Sequence, residues 1–236
     1  MVNEQALEIA RELERDFGSS LKSVLLFGSL ARGEYIDGVS NINLLVLMDD
    51  VNVALLDRAV SHAKRWRERG AVPLLLEVGE WQRAADVFAI EIADMQDAHE
   101  VLVGADPLMH HAVDRTALRM QVEHELRGKI LQFRMGLLAA AGEPELIGGL
   151  LMATLPSLAT YLRAALRLSG AVVPGRMEDV IEAGTRLVGA RPEALLAAHR
   201  ARTARTTLRL RLTDELVEQY HHAAERTAAY VDAFKE

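Results

Sequence analysis

The chain has 236 residues, half of them hydrophobic, a net charge of −7 and no cysteine. That much apolar surface supports one large domain or two modest ones and excludes a disordered chain. Without cysteine there is no disulfide framework, zinc thiolate site or cysteine nucleophile, so a metal could be held only by oxygen or imidazole, and the composition fits a reducing cytoplasm.

The charge is uneven. Residues 1–110 carry 10 Lys and Arg against 19 Asp and Glu, and residues 111–236 carry 17 against 15. Phosphate-backbone affinity needs a basic surface, so the acidic first half argues against nucleic acid and for a small ligand or a protein partner. Acids from Glu4 onward are the opposite of a basic signal-peptide start, and no apolar run reads as membrane-spanning, so a soluble cytoplasmic protein without membrane association is expected.

In chain order, Ala6, Leu7, Ile9, Ala10 and Leu13 recur at helical spacing between a candidate N-cap, Asn3, and Gly18. Lys22–Phe27 and Ile42–Met48 are short apolar runs that predict buried strands, separated by a polar segment containing Gly33 and Gly38. The stretch from Asp50 to Arg69 has helical periodicity, with Asp49 and Asp50 as its expected caps. Val72–Val78 predicts a third strand with Pro73 near its start. The segment Val87–Met95 alternates less cleanly, and His99–Val103 predicts an edge strand before Gly104-Ala105-Asp106-Pro107 breaks the pattern. Beyond it, residues 118–141, 147–168, 177–188, 192–203 and 213–234 read as five helices separated by glycines and a threonine-rich step near 206. The expected architecture is α+β followed by α: a mixed sheet with helices in residues 1–107 and an all-helical bundle in residues 108–236.

The most informative stretch is Ser23–Met48, SVLLFGSLARGEYIDGVSNINLLVLM. It couples an apolar strand, the Gly28-Ser29 turn, a helix start at Leu30-Ala31-Arg32-Gly33, and a second apolar strand entered through Asn41-Ile42-Asn43. A glycine at the turn lets backbone amides approach an anion, the helix start points its positive end at it, and Ser29 adds a hydroxyl donor. In isolation the same dipeptide is read as a tight strand-to-helix turn capped by Ser29. The whole segment resembles the signature of the nucleotidyltransferase superfamily, the DNA polymerase beta-like one: a strand ending in Gly-Ser, roughly ten residues of helix and loop, then Asp-x-Asp opening the next strand. The resemblance implies nucleotide binding at Gly28, Ser29 and Arg32 and places Asn41 and Asn43 at the metal-binding Asp positions.

In family members that work, the two carboxylates flank one residue, face the same side of the strand and, with a third acid from a neighbouring strand, hold the Mg2+ ions that bridge the nucleotide phosphates. Asn41 and Asn43 keep the shape of the pair and remove two charges; an amide oxygen is a poor magnesium ligand and no general base. Asp49 lies about 20 Å along the strand from Asn43, too far to share its metal. Glu34 and Asp37 sit in the intervening loop, where acids are usually solvated. For the third acid the resemblance points to the third strand, whose carboxylate is Glu77; if Leu75 or Leu76 is in register instead, that strand offers none. Glu91 and Asp94 are the alternatives, Glu91 standing inside an apolar run where it would need a partner.

The helical half resembles, in position, length and class, the helical domains that accompany aminoglycoside-type nucleotidyltransferases and antitoxin-linked helical domains. The adjacent pairs His110-His111 and His221-His222 point about 100° apart on a helix and do not chelate, unlike i, i+4 pairs. The five arginines between His199 and Arg211 have no interleaved aromatic and suit a solvated helix face. Trp66 and Trp81 read as packing residues.

Three functions follow. The first is a nucleotidyltransferase-like pseudoenzyme with weakened or lost transferase chemistry and residual binding of a nucleoside triphosphate. The second is an active enzyme that uses Mg2+, with Glu77 or the loop acids, to transfer a nucleotidyl group to a small-molecule or protein hydroxyl. The third is a non-enzymatic interaction module, as a homodimer or with a toxin-like partner. The sequence names no acceptor.

Overall fold

The computed structural model describes residues 2–234, apart from the side chains of Val2 and Val72. The chain divides into two compact units, Met1–Val113 and Asp114–Glu236.

In the first unit, helix α1 (Val2–Phe17) leads through a 3-10 turn into strand β1 (Leu21–Phe27). Strand β2 (Ile42–Met48), helix α2 (Val53–Glu68), strand β3 (Ala71–Glu77), the short helix α3 (Val78–Gln82), helix α4 (Ala89–Asp97) and strand β4 (His99–Gly104) follow. The sheet order is β3-β2-β1-β4. β1 pairs antiparallel with β2 and β4, while β2 and β3 are parallel. The helix α2 is the crossover that a parallel pair requires. The sheet is therefore mixed, and because both faces are covered its central strands are near-continuous apolar runs. Val24, Leu26, Leu44, Val46 and Met48 pack with residues of α1 and α2, while Leu25, Leu45 and Leu47 pack with Trp81, Ile92 and Met95. The unclear alternation of Val87–Met95 resolves as α4, whose Ala89, Ile90, Ile92, Ala93 and Met95 are buried.

The expected cap of the helix after β2 is corrected. The helix begins at Val53, capped by Asn52, whose side chain accepts from Leu55 N at 2.9 Å. Asp49 pairs instead with Lys22 at 2.7 Å, and Asp50 accepts from the Asn52 amide.

Among the described residues the second unit has five helices: α5 (Arg115–Ala139), α6 (Pro144–Ser169), α7 (Met177–Val188), α8 (Glu193–Ala204) and α9 (Glu215–Ala233). The helix α6 touches each of the other four. It is long and apolar enough to meet a membrane-spanning criterion by length and composition, contrary to the sequence reading, yet Ile147, Leu151, Leu155, Ala159 and Leu162 are buried inside the protein. Its glycines set approach distances: a Cβ on Gly148 would fall 1.7 Å from the carbonyl oxygen of Leu208, so the chain after α8 crosses α6 in contact with its backbone. It ends at Gly170, left-handed at φ 78, with Ala171 N donating to Leu166 O at 3.0 Å. That is the glycine-terminated bond pattern expected of a helix C-terminus.

Tyr220 is buried in this bundle, stacked on Phe133 with ring centroids 5.3 Å apart. Its hydroxyl lies 3.0 Å from Thr154 Oγ1, which itself donates to Leu150 O at 2.8 Å, so the tyrosine is the donor. Burial pushes the phenol pKa up. Tyr220→Phe is expected to cost about 1 kcal/mol in urea unfolding, the net value of one hydrogen bond, with the ring packing kept.

The arginine run is also corrected. It is not one helix face: α8 stops at Ala204, Arg205 is left-handed at φ 54, and the chain then leaves the helix. Arg209 pairs with Glu145 at 2.8 Å and Arg211 with Asp214 at 3.4 Å, so these two cations sit in solvent-exposed ion pairs.

Candidate nucleotide site

The site region lies where β1 ends and β2 begins. Gly28 follows β1 with φ 80, a left-handed conformation that L side chains rarely adopt. Arg32 N then donates to Gly28 O at 3.1 Å, Gly33 N to Leu30 O at 3.1 Å and Glu34 N to Ser29 O at 2.9 Å. The expected helix start is thus a single turn, stopped by Gly33 at φ 74. In such a turn the amides of Ser29, Leu30 and Ala31 precede the first intraturn bond, so the turn itself gives them no acceptor.

On β2, Asn43 stands directly opposite Phe27 of β1, and Ile42 between the two asparagines is fully buried. Side-chain alternation puts Asn41, just before the strand, on the same side as Asn43. Asn43 Nδ2 lies 2.6 Å from the position that a Cβ on Gly28 would take. The Gly-Ser turn and the Asn-x-Asn element are therefore in contact, and glycine is required twice over, for its φ and for the room it leaves Asn43. Gly28→Ala is expected to lower stability by about 1–2 kcal/mol through left-handed strain alone, measured by thermal or urea unfolding.

The sheet register answers the question of the third acid for β3. Asn43 pairs with Val72 on β3 and Leu45 with Leu74, whereas Glu77 pairs with Met48. Glu77 is five residues further along, roughly 17 Å at the usual strand rise. It serves a different purpose: Oε1 accepts from Val51 N at 3.2 Å, and its own backbone N–H donates to Glu80 Oε2 at 3.0 Å as part of a capping box for α3. The expectation that Glu77 joins Asn41 and Asn43 is corrected; β3 presents no carboxylate beside them.

Arg32 does not project toward Asn43 as a free cation. Its NH2 donates to the backbone carbonyl of Asp94 at 2.8 Å and lies 2.8 Å from the Asp94 carboxylate, with side chains 6% and 18% exposed. Asp94 belongs to the last turn of α4, where carbonyls lack intrahelical donors and a cation opposes the helix dipole favourably. The pair ties the turn after β1 to the helix packed on the sheet. It also removes Asp94 from the candidate metal ligands by engaging its carboxylate.

Among the described residues there is no group of three or more His, Cys, Asp or Glu that could hold a metal ion. Magnesium relies on carboxylates and substrate phosphates, and Asn41, Asn43, Val72 and Leu74 supply no carboxylate. These residues do not fit a magnesium site. One member of each histidine pair has a structural partner. His111 packs edge-on against Trp81 at 5.0 Å, its pKa lowered by burial and by His110. His221 Nε2 accepts from Arg134 Nε at 3.0 Å.

No protein-family model matches the chain, and no curated protein matches it. Solved structures do. The crystal structure of spectinomycin adenyltransferase AAD(9) from Enterococcus faecialis with ATP and spectinomycin superposes with a TM-score of 0.66 over 95% of this chain and 98% of that one, at 11% identity. The chain has a nucleotidyltransferase fold. The likeness covers residues of both units, the mixed sheet and the helices that follow it in sequence. A structure of the toxin-antitoxin MntA-HpeT mutant D39ED41E covers 53% of this chain and 96% of its own at 21% identity, with a TM-score of 0.33.

Proposed function

We propose that this is a nucleotidyltransferase-fold pseudoenzyme of the cytoplasm that binds a nucleoside triphosphate at Gly28, Ser29 and Asn43 without magnesium chemistry. The observation that carries the reading is the contact of Asn43 with Gly28: the shape of the Gly-Ser and Asp-x-Asp elements is kept, and the charges are gone. A bare carboxylate pair repels a triphosphate until cations neutralise it. An amide pair does not, and each amide NH2 is a donor for phosphate oxygen. The left-handed Gly28 holds the following amides in an open turn, and AAD(9), whose fold this chain shares, was crystallised with ATP. An active enzyme would need a base and metal ligands that Glu77 does not bring to Asn43.

The test is titration of ATP into the protein and into Gly28→Ala. The reading expects at least tenfold weaker binding in the variant, because the turn and Asn43 must both shift. Equal affinity in a folded Gly28→Ala protein would put the nucleotide elsewhere or remove it.

A further inference from the structure

The last turn of α4 is held from three directions. The final carbonyls of a helix have no intrahelical donor and must find one elsewhere. Here the Asp94 carbonyl accepts from Arg32 Nη2 at 2.8 Å, and the Met95 carbonyl accepts from His99 Nδ1 at 2.9 Å. The next residue, Gln96, donates its side-chain amide to the His111 carbonyl at 2.7 Å. Arg32 belongs to the turn after Gly28, and His99 opens β4 directly opposite Phe27. His111 belongs to residues 105–113, the last of the first unit before α5 begins. Three consecutive residues of α4 thus join the nucleotide turn, the sheet and the segment through which the chain leaves the unit.

We propose that this turn of α4 couples the Gly28 turn to residues 105–113, so that occupancy of the nucleotide site tightens the segment joining the two units. The ligand-dependent part rests on the nucleotide-binding reading, and the coupling itself on the contacts. Residues 105–113 form neither helix nor strand and are held largely through side chains, the kind of structure that opens locally. Ser23 Oγ donates to the Ala105 carbonyl at 2.8 Å and Trp81 Nε1 to the Pro107 carbonyl at 3.0 Å. Asp106 accepts from Leu108 N at 2.8 Å and faces His99 Nε2 at 3.3 Å, so the histidine that caps Met95 also holds the segment. Leu108 is buried in the cluster that contains Trp81, Ile92 and Met95. From Arg32 to His111 the route is therefore continuous, made of side-chain bonds at both ends of one helical turn. Coupling along such a route needs two arrangements that both sites bias, here the segment seated on these partners or released from them. A triphosphate that orders the Gly28 turn fixes Arg32 on Asp94, which lowers the cost of ordering the segment. By reciprocity, releasing the segment weakens nucleotide binding by the same factor.

Amide hydrogen exchange tests this with and without ligand, because it reads local opening. Gln96→Ala/Asp106→Ala cuts the segment from α4 and from His99. In that variant without nucleotide, the amides of Arg32, Gly33 and Glu34 should exchange about fivefold faster than in the wild-type chain, the low end of measured couplings, with those of α1 unchanged. In the wild-type chain, ATP shown by calorimetry to be bound should slow exchange across residues 105–113, and the double variant should bind ATP about fivefold more weakly. Gln96 is exposed, so Gln96→Ala alone carries the same comparison if the double variant does not fold. Unchanged exchange at residues 32–34 in the variant overturns the proposal, as does bound ATP that leaves residues 105–113 unaffected. If calorimetry finds no ATP bound, the nucleotide reading fails, and the ligand-free comparison still decides whether α4 couples the two segments.

Discussion

Replacing Arg32 with alanine is expected to destabilise the first unit by about 2–4 kcal/mol, the range for removing one member of a mostly buried ion pair, reduced somewhat because Asp94 keeps partial solvent access. Three things are lost at once. The Asp94 carboxylate loses its cation, the Asp94 carbonyl at the end of α4 loses its donor, and the turn after Gly28 loses its tether to the sheet-packed helix. Chemical unfolding of Arg32→Ala, Asp94→Ala and the double variant forms a cycle. The account expects the double variant to be more stable than the sum of the two single losses implies, because removing both partners leaves no uncompensated charge. Strict additivity would mean that the two side chains act independently and that the short contact contributes nothing. An arginine reserved for phosphate, in contrast, would leave stability unchanged when removed.

The second large effect concerns the asparagines. Asn41→Asp/Asn43→Asp restores two carboxylates on one side of β2, next to the Gly28 turn. In the absence of divalent cations the variant should bind ATP at least tenfold more weakly than the wild-type chain, since each charge opposes the triphosphate at close range. Magnesium should reverse that loss, because the ion now has carboxylates and phosphates to bridge. Calorimetric titration with and without magnesium reads both effects. Turnover is not expected to follow from these two changes alone, because the register sets Val72 and Leu74 beside Asn43 and Leu45, and Glu77 beside Met48. If the double variant behaves as the wild-type chain does under both conditions, Asn41 and Asn43 do not face the nucleotide.

What the sequence disclosed and what it hid follow from the range of the interactions involved. The strands Leu21–Phe27 and Ile42–Met48 are legible because a sheet covered on both faces needs uninterrupted apolar runs, and the helix ends at Gly170 and Gly189 are legible because a left-handed terminus favours glycine. The Gly-Ser and Asn-x-Asn elements are legible as parts of one signature, whereas the contact of Gly28 with Asn43 is visible only in the fold. The register of β3 is not legible either. Glu77 is an acid on the right strand, but which β2 residue it meets is fixed by where the α2 crossover returns the chain, and that depends on packing over the whole helix. The pairing of Arg32 with Asp94 spans 62 residues and has no local signal. Asp94 was legible as an acid near the site and illegible as the partner of the arginine. The helix that replaces the ambiguous Val87–Met95 segment shows the same limit, since a short apolar run buried on several sides has no clear period.

The measurement that tests the central claim most directly is calorimetric titration of ATP and the other nucleoside triphosphates into the wild-type chain, with magnesium and with a chelator. The account predicts binding of the same affinity under both conditions, held by the Gly28 turn and neutral amides. Binding that is tight with magnesium and absent without it would contradict the account and show a working metal site built from residues other than Asn41, Asn43 and Glu77.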